Sequence, residues 1–268
     1  MPSSIAERIR RRLERREKTY ETEQLMKEKR SEEYEVLEEV FDRSTLMTIY
    51  DLMNKGEIAE IYGVVKAGKE SRIYWGISSR GEELAIKIYL TVSAEFRRGM
   101  LPYIMGDPRF KNIRKGRALI YAWAQKEFKN LQLAYEAGVR VPKPILVANN
   151  VLLMEFIGRK GISAPLLKEV ELKRPERTYR TLIRYVDRLY KKAKLVHGDL
   201  SEYNIMIWRG RPVIFDVSQA VSIEHPNALY YLMRDVENLN RYFRRLGVEV
   251  EPAEEIIRRI THGGSGRT

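Results

Sequence analysis

Leu195–Val217, LVHGDLSEYNIMIWRGRPVIFDV, spaces two Asp and one Asn so that one loop and one hairpin bring them together. Asp199 sits on a loop after an apolar-faced helix, where a carboxylate can hold an attacking oxygen and receive its proton. Asn204, five residues further on, offers a neutral oxygen to a metal. The apolar runs IMIW and VIF flank RGRP and read as the strands of a tight hairpin, which carries Asp216 back beside Asn204 as a second metal ligand. Oxygen donors of this kind suit a hard cation such as Mg²⁺. Phosphoryl transfer asks a protein mainly to position groups and to offset negative charge, and these three residues supply both.

Three further segments agree in order and spacing: STLMTIYDLMNKGEI (Ser44–Ile58), VLLMEFIG (Val151–Gly158) and DVSQAV (Asp216–Val221). With them the chain resembles the protein-kinase-like superfamily and, within it, the Rio-one branch of the RIO family of atypical serine/threonine kinases, of archaeal type. The resemblance covers roughly Arg43 to Gly247. It implies an α+β, bilobal protein-kinase-like fold, with a small antiparallel β N-lobe carrying one long helix and a mainly helical C-lobe. Only about nine residues separate Asp216 from Pro226, so the C-lobe is expected to be reduced, without activation loop or peptide-docking platform. The resemblance further implies use of ATP with Mg²⁺ (Mn²⁺ as a substitute), autophosphorylation, ATP hydrolysis and an aspartyl-phosphate on Asp216. Its implied partners are ATP and the precursor of the small ribosomal subunit, with its rRNA and ribosomal proteins, and no DNA. Asp199 would be the base, Asn204 and Asp216 the metal ligands, Lys87 the phosphate cation and Glu127 its orienter.

Two rival readings stay open. A small-molecule phosphotransferase of the aminoglycoside type shares the HGDxxxxN loop, although the STLMTIYDLMNKG segment speaks against it. A non-catalytic scaffold that binds ATP and RNA is the other, against which stands the complete set Lys87, Glu127, Asp199, Asn204 and Asp216.

A chain of 268 residues can bury a sizeable core in one or two domains. The longest apolar runs fall short of a membrane span, and the charged N-terminus has no apolar segment behind it, so a soluble cytoplasmic protein is expected. The absence of cysteine excludes disulfides, thiolate metal sites and thiol nucleophiles. A formal charge of +12 favours polyanionic partners, while the abundance of Lys, Arg and Glu equally suits an ion-paired thermophilic surface. The basic runs Arg8–Arg16, Arg109–Arg117 and Arg241–Arg245 add weight to RNA.

Along the chain, residues 1–43 form a charged extension, helical or partly disordered. Residues 44–158 are assigned to an N-lobe, 159–250 to a C-lobe and 251–268 to a C-terminal tail. Ser44 is placed to cap a short helix that Lys55-Gly56 ends, followed by strands near Ile58–Val65, Arg72–Ile77 and Leu84–Leu90. A helix over Arg117–Glu136 puts Glu127 on its apolar face, where an unpaired carboxylate must find a cation or take a proton. Lys87, at the centre of LAIKIYL, is the candidate cation; pairing with Lys126 or Lys129, or snorkelling to water, is the bland alternative. Residues 91–116 read as a long flexible loop with Arg-rich composition. VRVPKPILVANNVLLMEFIG supplies two strands around Asn149-Asn150, and helices run over Arg177–Leu195 and Pro226–Leu246.

By the same resemblance, VVKAGKES (Val64–Ser71) lies where ATP phosphates bind, with Lys66, Gly68, Lys69 and Ser71 as contacts; a plain hairpin turn is the alternative. The backbone of Glu155 and Ile157 would bind the adenine edge beside Met154. His197 is expected to hold structure by hydrogen bonding rather than to shuttle protons.

Overall fold

The computed structural model describes residues 41–90, 94–109 and 116–262. Most of the charged extension, its Arg8–Arg16 run and the last six residues therefore lie outside the described residues. The chain forms two units, Met1–Tyr50 and Asp51–Thr268. Helix α1 spans Arg43–Asn54. Its N-cap is not Ser44: the Asp42 carboxylate accepts the Thr45 N–H at 2.9 Å, and an anion suits a helix N-terminus. Gly56 ends the helix with φ 74°, and the Gly56 and Glu57 N–H groups bond back to Met53 and Leu52.

Within the second unit the strand-like runs become β1 (Glu60–Ala67), β2 (Ser71–Ile77) and β3 (Glu83–Tyr89), followed by α2 (Ala94–Ile104), α3 (Arg117–Glu136), β4 (Pro144–Ala148) and β5 (Val151–Glu155). The sheet is antiparallel with order β1-β2-β3-β5-β4, so the two strands expected around Asn149-Asn150 join the three expected before them and β3 is central. Asn149, with φ 51°, closes the β4–β5 turn, a conformation Asn tolerates. The segment 91–116 is not merely a loop. Its helix α2 buries Met100 and Ile104 against Tyr89, Ile120 and Trp123, and the buried His225 imidazole lies 3.1 Å from the Pro102 carbonyl and 2.9 Å from that of Met105.

The short pair β6 (Gly158–Arg159) and β7 (Ile162–Ser163) leads into the C-lobe: α4 (Pro175–Arg188), β8 (Leu195–Val196), β9 (Ile205–Trp208), β10 (Arg211–Ile214), β11 (Val221–Ser222), α5 (Ala228–Arg245) and α6 (Ala253–His262). Pro at the first position of α4 suits a helix start, where its missing N–H has no partner to lose. The β9–β10 hairpin pairs Trp208 with Arg211 across Arg209-Gly210, both at positive φ, which matches the strands' twist. What was assigned to a C-terminal tail is α6, whose Ala253, Ile256 and Ile260 are buried in the same apolar core as Leu239 and Phe243 of α5. Periodicity explains it: Ala253, Ile256 and Ile260 lie at helical spacing among charged neighbours.

Candidate active site

Centrality in the sheet covers β3 on both sides and leaves Lys87 4% exposed. Its ammonium lies 2.9 Å from Glu127 Oε1 and 2.8 Å from Oε2, with hydrogen-bond geometry only to Oε1, and donates to Asp216 Oδ1 at 3.1 Å. Glu127 is 1% exposed, whereas a third of the Asp216 side chain (36%) faces the cleft. One cation thus serves two carboxylates. Burial works against the Lys87 charge, but Asp216 and Glu127 outweigh it and hold the ammonium above its ordinary pKa. Burial also opposes ionised Asp216; Lys87, the Ser218 hydroxyl donating at 2.9 Å, and Lys66 reverse that and bring it to about 2. Glu127 is pushed up to about 7 by burial, which Lys87 only partly offsets. Asp216 keeps its charge because it has more donors.

Asp216 itself has φ 58°, unusual for a residue with a Cβ and held only when its surroundings insist. They do so through α3. Lys126, 0% exposed, donates to the Ser218 carbonyl at 2.7 Å and to that of Ala220, while Asn130 Nδ2 donates to the Val217 and Ala220 carbonyls at 2.8 and 3.0 Å. Arg109 completes the girdle, bonding Asn130 Oδ1 at 2.8 Å and Asp107 at 2.6 Å. Burial, and then Arg109, hold the Lys126 pKa well below its ordinary value. The sequence reading missed Lys126 and Asn130. Their spacing of four puts them on one helix face, but nothing local shows that the partners are carbonyls some ninety residues away.

Asp199 lies on a loop clamped from α5. Asp235 accepts the Gly198 and Leu200 N–H groups, each at 2.8 Å, and Arg234 donates to the Gly198 carbonyl. Burial pushes Asp235 up to about 7, those two bonds notwithstanding. The Asn204 amide donates to the Asp199 carbonyl at 2.7 Å and to its carboxylate at 3.0 Å, and the Asn204 carbonyl accepts the Phe215 N–H at 3.0 Å. The hairpin therefore brings Asn204 beside the residue preceding Asp216, as its turn requires. Asn204 Oδ1 accepts no hydrogen bond among the described residues.

His197 is 2% exposed, and its Nδ1 accepts the Asp199 N–H at 3.3 Å. Burial drives its pKa down to about 4, so it is neutral in the working range and holds the loop. A depressed folded-state pKa gives stability that is present above the ordinary 6.5 and lost as pH falls through 4. His197→Asn keeps an acceptor for Asp199 but cannot titrate. Between pH 7 and pH 4 the wild type should lose about 3 kcal/mol more than this variant, at about 1.4 kcal/mol per pKa unit. Urea unfolding at the two pH values measures it; parallel losses would contradict a buried neutral imidazole.

Two adjoining cavities open beside these groups. One of about 300 Å³ is lined by Lys66, Gly68, Lys69 and Ser71 of the β1–β2 turn together with Lys87, Glu127, Met154 and Asp216. The Gly68 N–H bonds the Ser71 carbonyl at 3.0 Å, so this is a hairpin turn whose exposed Lys66 and Lys69 flank a pocket. The other, about 280 Å³, is mainly apolar, lined by Val65, Ala85, Met154, Ala164, Met206 and Phe215 and reaching Glu155 and Ile157. The Ile157 N–H has no hydrogen-bond acceptor among the described residues, which leaves it available to the edge of a planar base. Glu70, a lining residue the sequence reading passed over, has its pKa raised by burial and then by Asp216 and Asp199. Three carboxylates that push on one another beside one ammonium suit an added divalent cation. Among the described residues no three His, Cys, Asp or Glu form a cage. Asn204 Oδ1 and Asp216 are oxygen donors that could hold Mg²⁺, an ion that keeps waters and phosphate oxygens in its shell.

The RIO domain family model matches residues 72–256. The chain is 41% identical over 227 residues to the RIO-type serine/threonine-protein kinase Rio1 of Haloferax volcanii, covering 84% of this chain and 78% of that protein. It is 39% identical over 236 residues to Rio1 of Methanocaldococcus jannaschii, with coverage of 87% and 80%. Against human serine/threonine-protein kinase RIO1 the identity is 38% over 230 residues, but the match spans only 40% of that longer protein. Among solved structures, the Rio2 kinase from Chaetomium thermophilum shares the fold with a TM-score of 0.62 at 24% identity, covering 81% of this chain and 68% of that one. Its complex with ADP and Mg²⁺, containing a phosphoaspartate, gives 0.59 at 25% identity, with coverage of 78% and 64%. The chain belongs to the RIO domain family.

Proposed function

We propose that this chain is an ATP- and Mg²⁺-dependent serine/threonine protein kinase that also hydrolyses ATP, acting in the cytoplasm in late maturation of the small ribosomal subunit. One observation carries the catalytic part: Lys87 bridges Glu127 and Asp216 beside a cavity, and Asn204, bonded to Asp199, holds the Phe215 N–H next to Asp216. Related proteins named as serine/threonine kinases, and the ADP/Mg²⁺ complex of Rio2, support it. Lys87 is oriented by Glu127 to meet phosphate oxygens, and Lys66 and Lys69 add positive charge at the cavity rim. Met154 and the Ile157 N–H seat the base. A metal on Asn204 Oδ1 and Asp216 offsets charge on the phosphates. Asp199, raised in pKa by burial, receives the proton of the attacking hydroxyl or water.

Asp216 Oδ1 accepts both Lys87 and Ser218, which leaves Oδ2 without a partner among the described residues. In our reading Oδ2 can attack the γ-phosphorus: an O–P bond forms, the bond to the bridging oxygen breaks, ADP leaves, and water later cleaves the acyl phosphate. A phosphoaspartate in the Rio2 complex supports this step. Just past Asp216 the chain pairs β11 with β8 and enters α5 at Ala228, so no platform for a substrate peptide intervenes. That favours self-phosphorylation or turnover within an assembly.

Labelled ATP, incubated with the purified protein with and without small-subunit precursors, shows where phosphate goes. Hydroxylamine-labile label marks the acyl phosphate, and stable label marks Ser or Thr. Asp199→Ala should lower turnover by about 10²–10⁴-fold, the usual contribution of a general base. Equal rates would leave only binding.

A further inference from the structure

On the C-lobe a groove of about 780 Å³ lies away from the ATP cleft, between α4 and the β9–β10 hairpin. Six exposed arginines line it: Arg174 just before α4, Arg177, Arg184 and Arg188 along it, and Arg209 and Arg211 at the hairpin turn. Glu171 is the one carboxylate in its lining. None of the six makes an ion pair among the described residues, although ion pairs do form nearby, Lys191 with Asp187 and Arg259 with Glu251. So dense a row of unpaired like charges repels itself and wants counter-charge. Arg188 is fixed by a bond to the Gly138 carbonyl at 2.6 Å, and the hairpin is held by Arg140 donating to the Trp208 carbonyl at 2.9 Å. The groove is therefore a stable feature of the fold.

We infer that this groove binds the phosphodiester backbone of single-stranded RNA. At 1.5 Å per residue, Arg174 to Arg188 span roughly 21 Å of helix, enough to face several successive phosphates rather than one small anion. Arginine forks suit phosphate oxygens better than point charges do. Half-buried Tyr185 lines the groove and gives a ring face on which a base can stack. Thr181 donates to the Arg177 carbonyl at 2.8 Å and accepts the Arg184 guanidinium at 3.1 Å, while Thr178 donates to the Arg174 carbonyl and keeps an oxygen that can accept a ribose 2′-hydroxyl. The inference goes beyond the phosphoryl-transfer reading and does not need it. Met206 lines the ATP cleft and Ile207 the groove, so the two sites occupy opposite faces of one hairpin.

The test is fluorescence anisotropy of a labelled single-stranded RNA, and of DNA of the same sequence, titrated with the full chain at several salt concentrations. Arg177→Glu with Arg184→Glu should weaken RNA binding at least tenfold and flatten the plot of log K against log salt by about 1.4, at about 0.7 per lost phosphate contact. The neutral pair Arg177→Gln with Arg184→Gln should act in the same direction with a smaller effect. ATP turnover should stay at the wild-type level in both, which shows a folded protein. Asp199→Ala should bind RNA normally, so failure of the catalytic reading leaves this result untouched. Unchanged RNA affinity in the groove variants overturns the inference, and so does an equal loss on Arg244→Glu with Arg258→Glu, outside the groove. DNA binding as tight as RNA overturns the assignment to RNA.

Discussion

Asp216→Asn should abolish Mg²⁺-dependent ATP turnover while the melting temperature stays within a few degrees of wild type. The asparagine carbonyl can still accept from Lys87 and Ser218, the two bonds made by Oδ1, so the strained backbone at φ 58° keeps its supports. Lys126 and Asn130 continue to hold the carbonyls that follow. What disappears is the negative charge, and with it the oxygen that no protein group occupies. Polarisation by a bound metal is worth several kcal/mol in the transition state, so at about 1.4 kcal/mol per factor of ten the loss should be on the order of 10³-fold or more. Since Asp216 titrates near 2, a native carboxylate is ionised across any working pH, and the wild-type rate should show no acid limb from this group above about pH 4. ATP hydrolysis across a Mg²⁺ titration, paired with a thermal melt, measures both. Unchanged turnover would refute the metal assignment.

The parts of this site that the sequence made legible are those fixed by local spacing. The hairpin read from IMIW and VIF forms, with its turn narrowed from RGRP to Arg209-Gly210 because Arg211 and Pro212 pair into the strand, and its register sets Asn204 beside Phe215. A carboxylate on a buried helix face needs a cation, which left Lys87, Lys126 and Lys129 open as partners of Glu127, and it was the family resemblance that favoured Lys87. Long-range polar bonds behave differently. Lys126 entered the sequence reading only as an alternative partner for Glu127, yet it is fully buried on backbone carbonyls, and a carbonyl has no residue identity for a sequence to display. Asp235 was likewise hidden, as one acid on a charged helix, until the fold aimed it at Gly198 and Leu200. The α2 segment was read as loop because Gly99, Pro102, Gly106 and Pro108 break helices in isolation; packing of Met100 and Ile104 against Trp123 overrides that preference.

Lys87→Met separates stability from chemistry. Methionine keeps most of the volume and none of the charge, so Glu127, 1% exposed, is left without its cation. Its pKa, already about 7 with Lys87 present, must rise further. A carboxyl raised in the folded state gives stability that is present below its unfolded value and lost as pH climbs through the folded one. Lys87→Met should therefore be least damaging near pH 5 and destabilised by about 3–5 kcal/mol at pH 8, the usual penalty for orphaning one member of a buried pair. Adding Glu127→Leu removes the orphan, and the double variant should regain most of that stability and lose the extra pH dependence. Turnover should remain abolished in both, because neither offers an ammonium to phosphate. Urea unfolding of the four proteins at pH 5 and 8 closes the cycle, and a double variant no more stable at pH 8 than Lys87→Met would mean that Lys87 supports the fold through Asp216 or the sheet rather than through Glu127.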